Sequence, residues 1–141
     1  MSKRIRRHRK HITPKTKPII KEKLHKKRRN FYLNEGLKDR ISFSVLINDK
    51  NDTKKIENIS YEIQIKSRWV WVVRYDDHGG IGSLHKHFRV SLDNDQQIES
   101  STEIEKIDNK NDQLTWVCKD IRANYLAFRD MFLSNCKLDL Y

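Results

Sequence analysis

The sequence predicts an α+β fold: a four- or five-stranded antiparallel meander sheet with a C-terminal helix packed on one face and a basic N-terminal arm or helix. Three observations carry this. Apolar residues alternate with period two in segments between 41 and 92, polar or glycine-bearing stretches separate those segments, and a three-and-four spacing takes over from Leu114. Residues 36–141 then form a single α+β domain and residues 1–35 a basic nucleic-acid-binding arm. The charge is divided in the same way. Residues 1–30 hold fourteen Lys/Arg and one acid, Glu22, whereas residues 31–141 hold sixteen bases and eighteen acids. The formal +11 therefore describes a nearly neutral domain with a cationic arm, and a uniformly basic globule is excluded.

Each element follows from local chemistry. The first seventeen residues contain no aromatic and no acid, and like charges at that density repel, so they are expected to stay disordered until an anion neutralises them. Pro18 suits a first helical turn, and Ile19, Ile20, Leu24, Phe31 and Tyr32 mark one side of a helix ending near Gly36. Ile41, Phe43, Val45 and Ile47 alternate with Ser42, Ser44 and Leu46, a strand with one buried face. The sequence NDKNDTKKIEN supplies a polar turn.

Residues 59–75 read as one long strand. Ile59, Tyr61, Ile63 and Ile65 share parity with Trp69, Trp71, Val73 and Tyr75, and no Gly or Pro intervenes. On that reading Trp69 and Trp71 belong to an aromatic core face under the helix, with a base-stacking platform as the alternative. DDHGGIGSL forms a glycine-rich loop, HKHFRVSL returns as a partner strand, DND turns, and QQIES is a short polar edge strand. Asn111 or Asp112 caps the final helix, whose stripe is Leu114, Val117, Ile121, Tyr125, Phe128 and Phe132, with Cys118 packed beside it.

Several function classes fall away. No uncharged apolar run approaches the ~18 residues of a membrane span, so no membrane partner is expected. The basic N-terminus is not followed by an apolar stretch, as a secretory signal would be. Cys118 and Cys136 are too few for a disulfide framework, and a reducing cytoplasm is the expected location. GGIG at 79–82 sits inside a hairpin and opens no helix, so it is no dinucleotide fingerprint; no cofactor is expected and no metal ligand is assigned.

Residues of catalytic type gather at one hairpin: Arg74, Asp76, Asp77 and His78, then His85, Lys86, His87 and Arg89. Period two puts His85, His87 and Arg89 on one face. Three chemistries fit. His85 and His87 with His78 and an aspartate can hold a metal ion. A metal-independent ribonuclease would use His78, His85 and His87 as acid–base groups, with Arg74, Lys86 or Arg89 stabilising the charged phosphorane-like transition state. A solvated loop would use the same pairs only to steady its turn. In the arm, Lys3, Arg4, Arg6, Arg7, Arg9, Lys10, Lys26, Lys27, Arg28 and Arg29 would displace counterions from nucleic acid, giving salt-sensitive affinity without base readout.

The stretch WVVRYDDHGG…HKHFRVSL resembles the hairpin of TumE-type small proteins of prokaryotic toxin–antitoxin pairs, through Arg74-Tyr75-Asp76, His78 and His85-Lys86-His87. The loop DDHGGIGS differs from the proline-bearing loop with adjacent histidines of that family. The resemblance implies a cytoplasmic toxin regulated by an antitoxin-like protein partner and acting on RNA or translation. The leading expectation is thus an RNA-directed protein, RNA being favoured over DNA, that acts as a toxin-like endoribonuclease or translation inhibitor. The alternative is a non-catalytic nucleic-acid-binding accessory protein whose arm docks on RNA or DNA and whose hairpin binds a protein partner.

Overall fold

The computed structural model describes residues 22–76, 84–89, 92, 97–100, 104 and 106–136. The readings made for residues 1–17 (Lys3, Arg4, Arg6, Arg7, Arg9 and Lys10 among them), for Pro18, Ile19 and Ile20, for Asp77 and His78, for GGIG at 79–82 and for the turn at 93–95 lie outside these described residues. The fold class is as expected: an antiparallel meander, with strands hydrogen-bonded in chain order, and a C-terminal helix on one face. The strands are β1 (His25–Tyr32), β2 (Asp39–Ile47), β3 (Thr53–Ile65), β4 (Arg68–Asp76), β5 (His85–Phe88) and β6 (Gln97–Ser100), and the helix is α1 (Lys110–Cys136).

The segment expected as arm or helix is a strand over residues 25–32. β1 pairs with β2 along its whole length, from His25 opposite Ile47 to Tyr32 opposite Arg40. Alternation, not helical spacing, organises it: Phe31 sits across from Ile41 and packs its ring 5.8 Å from that of Phe43. Its Lys and Arg residues suit a sheet edge, where charge discourages pairing with other chains. β1 thus belongs to the sheet although it lies on the N-terminal side of residue 35.

The long strand expected over 59–75 is a hairpin. β3 and β4 are joined by Lys66 and Ser67, both with positive φ (49° and 70°). A two-residue turn of that hand matches the twist of the flanking strands, although neither residue is the Gly or Asn that usually announces it. A bulge then changes the parity: Tyr61 lies opposite Val73 but Glu62 lies opposite Trp71, leaving Val72 as the extra residue. Val73 and Tyr75 face the helix, while Trp69 and Trp71 are carried to the other face. β3 also begins earlier than expected, at Thr53, after a turn in which Asn48 Oδ1 accepts from the Lys50 and Asp52 amides. β5 ends at Phe88 rather than Leu92, and the Arg89 amide donates to the Val72 carbonyl.

Helix α1 starts one or two residues before the expected cap. Asn109 is the capping residue, its Oδ1 accepting from the amides of Asn111 (2.7 Å) and Asp112 (3.2 Å). Val117, Ile121, Phe128 and Phe132 are buried as the stripe requires, against Ile41, Ile59, Tyr61, Ile63, Val73 and Tyr75. Each such side chain contributes about 1.5–3 kcal/mol when fully buried. Cys118 packs against this core, and burial pushes its thiol pKa up.

Two polar clips fix the helix to the sheet. Asp39, 1% exposed, accepts from Tyr61 Oη (2.5 Å), Asn34 Nδ2 (2.9 Å) and Arg129 Nη1 (3.1 Å). Tyr75 Oη donates to Asp120, and Lys86 Nζ lies 3.4 Å from the same carboxylate. Both clips satisfy groups that would be costly to bury alone. α1 thus covers one sheet face over its central strands β3 and β4, and the features of the other face are those that matter for function.

Candidate functional site

Strand register assembles the hairpin cluster. Arg74 lies opposite His87 and Asp76 opposite His85, so these four residues share the face away from α1. Asp76 is the hub: its Oδ2 accepts from Arg74 Nε (3.1 Å) and its Oδ1 lies 3.1 Å from His87 Nε2. A carboxylate can only accept, so this bond keeps a proton on Nε2 of His87. His87 and Asp76 are 7% and 8% exposed, whereas His85 is half-buried and more accessible.

Arg89 occupies the same face. Its guanidinium lies 5.0 Å from the Trp71 ring, Nη1 donates to the Trp71 carbonyl (3.4 Å) and Nη2 to the Leu92 carbonyl (3.0 Å). Its Nε is buried with no hydrogen-bond partner. Of the five residues expected to be catalytic, the structure therefore gathers Arg74, His85, His87 and Arg89, and His78 lies outside the described residues. Lys86 does not join them. It points to the helix side, paired with Asp120 and packed over the rings of Phe128 (4.5 Å) and Phe88 (4.9 Å), so it cannot serve a phosphate on the hairpin's open face.

The same face extends across the sheet. Trp71 also lies beneath the Arg74 guanidinium (4.6 Å), and Trp69 beneath that of Arg40 (4.0 Å), with the Tyr32 ring 6.2 Å from Trp69. Arg40 is held by Glu62 (2.7 Å). At the β1 end, Lys26 pairs with Glu57 (3.3 Å), which also accepts from the Ser44 hydroxyl (2.8 Å). The Ser44 hydroxyl bond holds the Glu57 carboxyl below the usual range; burial, the next effect in size, opposes it, and the Lys26 ammonium reinforces it. Lys26 and Arg28 line a shallow cleft of about 250 Å³ with Ser42, Ser44 and Asn58.

Of the β1 cations, Lys26 and Arg28 share this open face, while Lys27 and Arg29 alternate to the other side. Three strand spacings, about 14 Å, separate β1 from β4, which carries Trp69, Trp71 and Arg74; Trp71 lies on the register row of Tyr32, four residues along β1 from Arg28. Trp69, Trp71, Arg40 and Tyr32 are the residues that sequence reasoning did not assign to the site. Only the bulge at Val72 reveals the tryptophans' side, and a bulge leaves no mark in the apolar pattern. No group of three or more His, Cys, Asp or Glu suited to a metal ion occurs among the described residues. Among them, too, no helix is long and apolar enough to cross a membrane.

Fold and site together define a small α+β protein with one helix-covered sheet face and one open face bearing an Arg–Asp–His cluster. A family described as a domain of unknown function, DUF7718, matches residues 20–138, and the chain belongs to that family. The match begins ahead of β1 and ends just past α1, so it covers the whole described fold. No curated protein and no solved structure matches the chain.

Proposed function

We propose that this protein acts on RNA as a toxin-like, metal-independent endoribonuclease that works in the cytoplasm under control of an antitoxin-like protein. The observation that carries the reading is the registered cluster on adjoining strands: Arg74 opposite His87 and Asp76 opposite His85, with Asp76 holding both Arg74 and His87. The resemblance of Arg74-Tyr75-Asp76 and His85-Lys86-His87 to the TumE-type hairpin supports it further.

The reaction needs no group beyond these side chains. One histidine takes the proton of a ribose 2′-hydroxyl as its oxygen attacks the adjacent phosphorus, and the P–O5′ bond breaks. A second, protonated histidine gives its proton to the departing 5′-oxygen, leaving a 2′,3′-cyclic phosphate and a free 5′-hydroxyl. His85 and His87 are assigned to these transfers, and His78 is their sequence-level companion. Arg74 and Arg89 stabilise the charge that develops on the phosphorane-like transition state. Asp76 is a positioning residue: it orients His87 without touching substrate.

The test is incubation of labelled RNA with and without EDTA, alongside a His85→Ala/His87→Ala variant. Cleavage that survives EDTA and disappears in the variant supports the proposal. EDTA-sensitive cleavage would replace it with a metal-dependent reaction. The burial of His87 favours a second reading, in which the hairpin is a structural and partner-binding feature of a nucleic-acid-binding accessory protein. RNA binding without cleavage would select that reading.

A further inference from the structure

We propose that the sheet face opposite α1 is a stacking platform for unpaired bases of single-stranded RNA, with Trp69 and Trp71 as its π surfaces. The inference rests on the reading of this protein as RNA-directed and names the form of RNA it takes.

Packing under the helix does not account for these tryptophans. An antiparallel sheet covered on one side buries its large apolar residues under the cover and presents polar ones to water. Here the helix-covered side holds Val73 and Tyr75, and the bulge at Val72 sends Trp69 and Trp71 away from it. Both indoles are only half-buried, on a face whose other residues include Ser42, Ser60 and Gln64. They stand two residues apart on one strand, roughly 6.7 Å along it, a step that an extended strand with splayed bases can match.

Charge selects the occupant. The face carries Lys26, Arg28, Arg40, Arg74 and Arg89 against Glu57, Glu62 and Asp76. The three acids pair with Lys26, Arg40 and Arg74, and Lys55, opposite Leu46, adds a sixth cation to the face. Arg28, Lys55 and Arg89 are therefore the surplus cations, with no carboxylate partner within salt-bridge distance among the described residues. Arg89 in addition keeps a buried Nε without a hydrogen-bond acceptor. A phosphate chain crossing the face would meet Arg28 near one edge and Arg89 near the other. Arginines also lie against both indoles, and guanidinium planes, like indoles, accept stacked bases. A duplex offers phosphates without exposed base faces, so it would use the cations and leave the tryptophans idle.

The experiment separates binding from cleavage by using 2′-O-methyl oligouridylate of about 12 nucleotides, which lacks the attacking hydroxyl and lies within the usual single-strand site size. Affinity is measured for the single strand, for its duplex with oligoadenylate, and for an abasic strand of equal phosphate number. Trp69→Leu and Trp71→Leu should each weaken single-strand binding about tenfold and leave duplex binding unchanged. The abasic strand should bind the wild-type protein at least about tenfold more weakly than oligouridylate, a comparison that needs no variant to fold. Equal affinity for abasic and base-bearing strands, or single-strand affinity unaltered in both folded variants, overturns the proposal. Cleavage of unmodified RNA is scored in parallel. Cleavage with tryptophan-independent binding defeats the platform alone, whereas tryptophan-dependent binding without cleavage defeats the ribonuclease reading alone.

Discussion

The two faces of one sheet use the same residue types for opposite ends. Under α1, Asp39 is surrounded by three donors and Asp120 by a tyrosine and a lysine, and each carboxylate ties helix to strand. On the open face, Asp76, Glu62 and Glu57 each hold one arginine or lysine beside a half-buried indole or a shallow cleft. The difference is the cost of losing a partner. The contrast is sharpest between Asp39, whose side chain is 2% exposed and has no water to turn to when unpaired, and Glu57, at 30%; Asp76, at 11%, lies between them. Carboxylates on the covered side should therefore govern stability, and those on the open side should govern what the surface binds and does.

The largest expected effect comes from the covered side. Asp39→Ala removes the acceptor of the fully buried Tyr61 hydroxyl and the carboxylate facing Arg129, and should cost about 3 kcal/mol in urea unfolding. An effect below about 1 kcal/mol would break the comparison, because it would mean the clip is solvated after all.

Asp76→Asn is the open-face counterpart and should divide the two readouts. Stability should fall by only about 1–2 kcal/mol, since Arg74 remains partly solvated and Asn still offers one acceptor oxygen. RNA cleavage should fall about 100-fold, because the amide no longer fixes the His87 proton on Nε2, while affinity for a non-cleavable strand stays level. A proportionate loss of stability, binding and cleavage would show that Asp76 is structural only.

Tyr61 makes the covered face sensitive to alkali. Burial first, and then the bond it donates to the Asp39 carboxylate, hold its phenol well above the usual range. Below about pH 10 both folded and unfolded chains keep the proton, and the contribution is intact. Above it the unfolded chain releases the proton and the folded chain does not, so stability should fall by about 1.4 kcal/mol per pH unit. Tyr61→Phe should flatten that limb at a cost of about 1 kcal/mol near neutrality. Unfolding free energies at several pH values between 8 and roughly 11 would check it.

What the sequence revealed follows from which physics is periodic. The α1 stripe and β2 were legible because burial repeats, and Arg74, Asp76, His85 and His87 could be placed together because a hairpin folds its ends onto each other. Three features were not legible. Lys66 and Ser67 take positive φ without Gly or Asn, so the β3–β4 turn was invisible. The bulge at Val72 shifts parity without changing composition, and it moved both tryptophans from the expected core to the open face. In β1 the charges hid an alternation in which only Phe31 marks the inner side, so a strand read as an arm.

That last strand lets the comparison be made at the smallest scale, between neighbours in sequence. Arg28 and Arg29 are both exposed, yet they project from opposite faces of β1. Neither substitution by alanine should move stability by more than about 0.5 kcal/mol. If single-stranded RNA lies across the open face, Arg28→Ala should lower the slope of log affinity against log salt by about 0.7, the value for one lost phosphate contact, and Arg29→Ala should leave it unchanged. Residues 1–21, with nine Lys/Arg and no acid, should then add a contribution of their own, and removing them should flatten the slope for both proteins alike. The difference between Arg28 and Arg29 should persist in that truncated background, since it reports the face and not the total charge. Equal slopes for the two variants would mean that charge alone, regardless of side, attracts the nucleic acid.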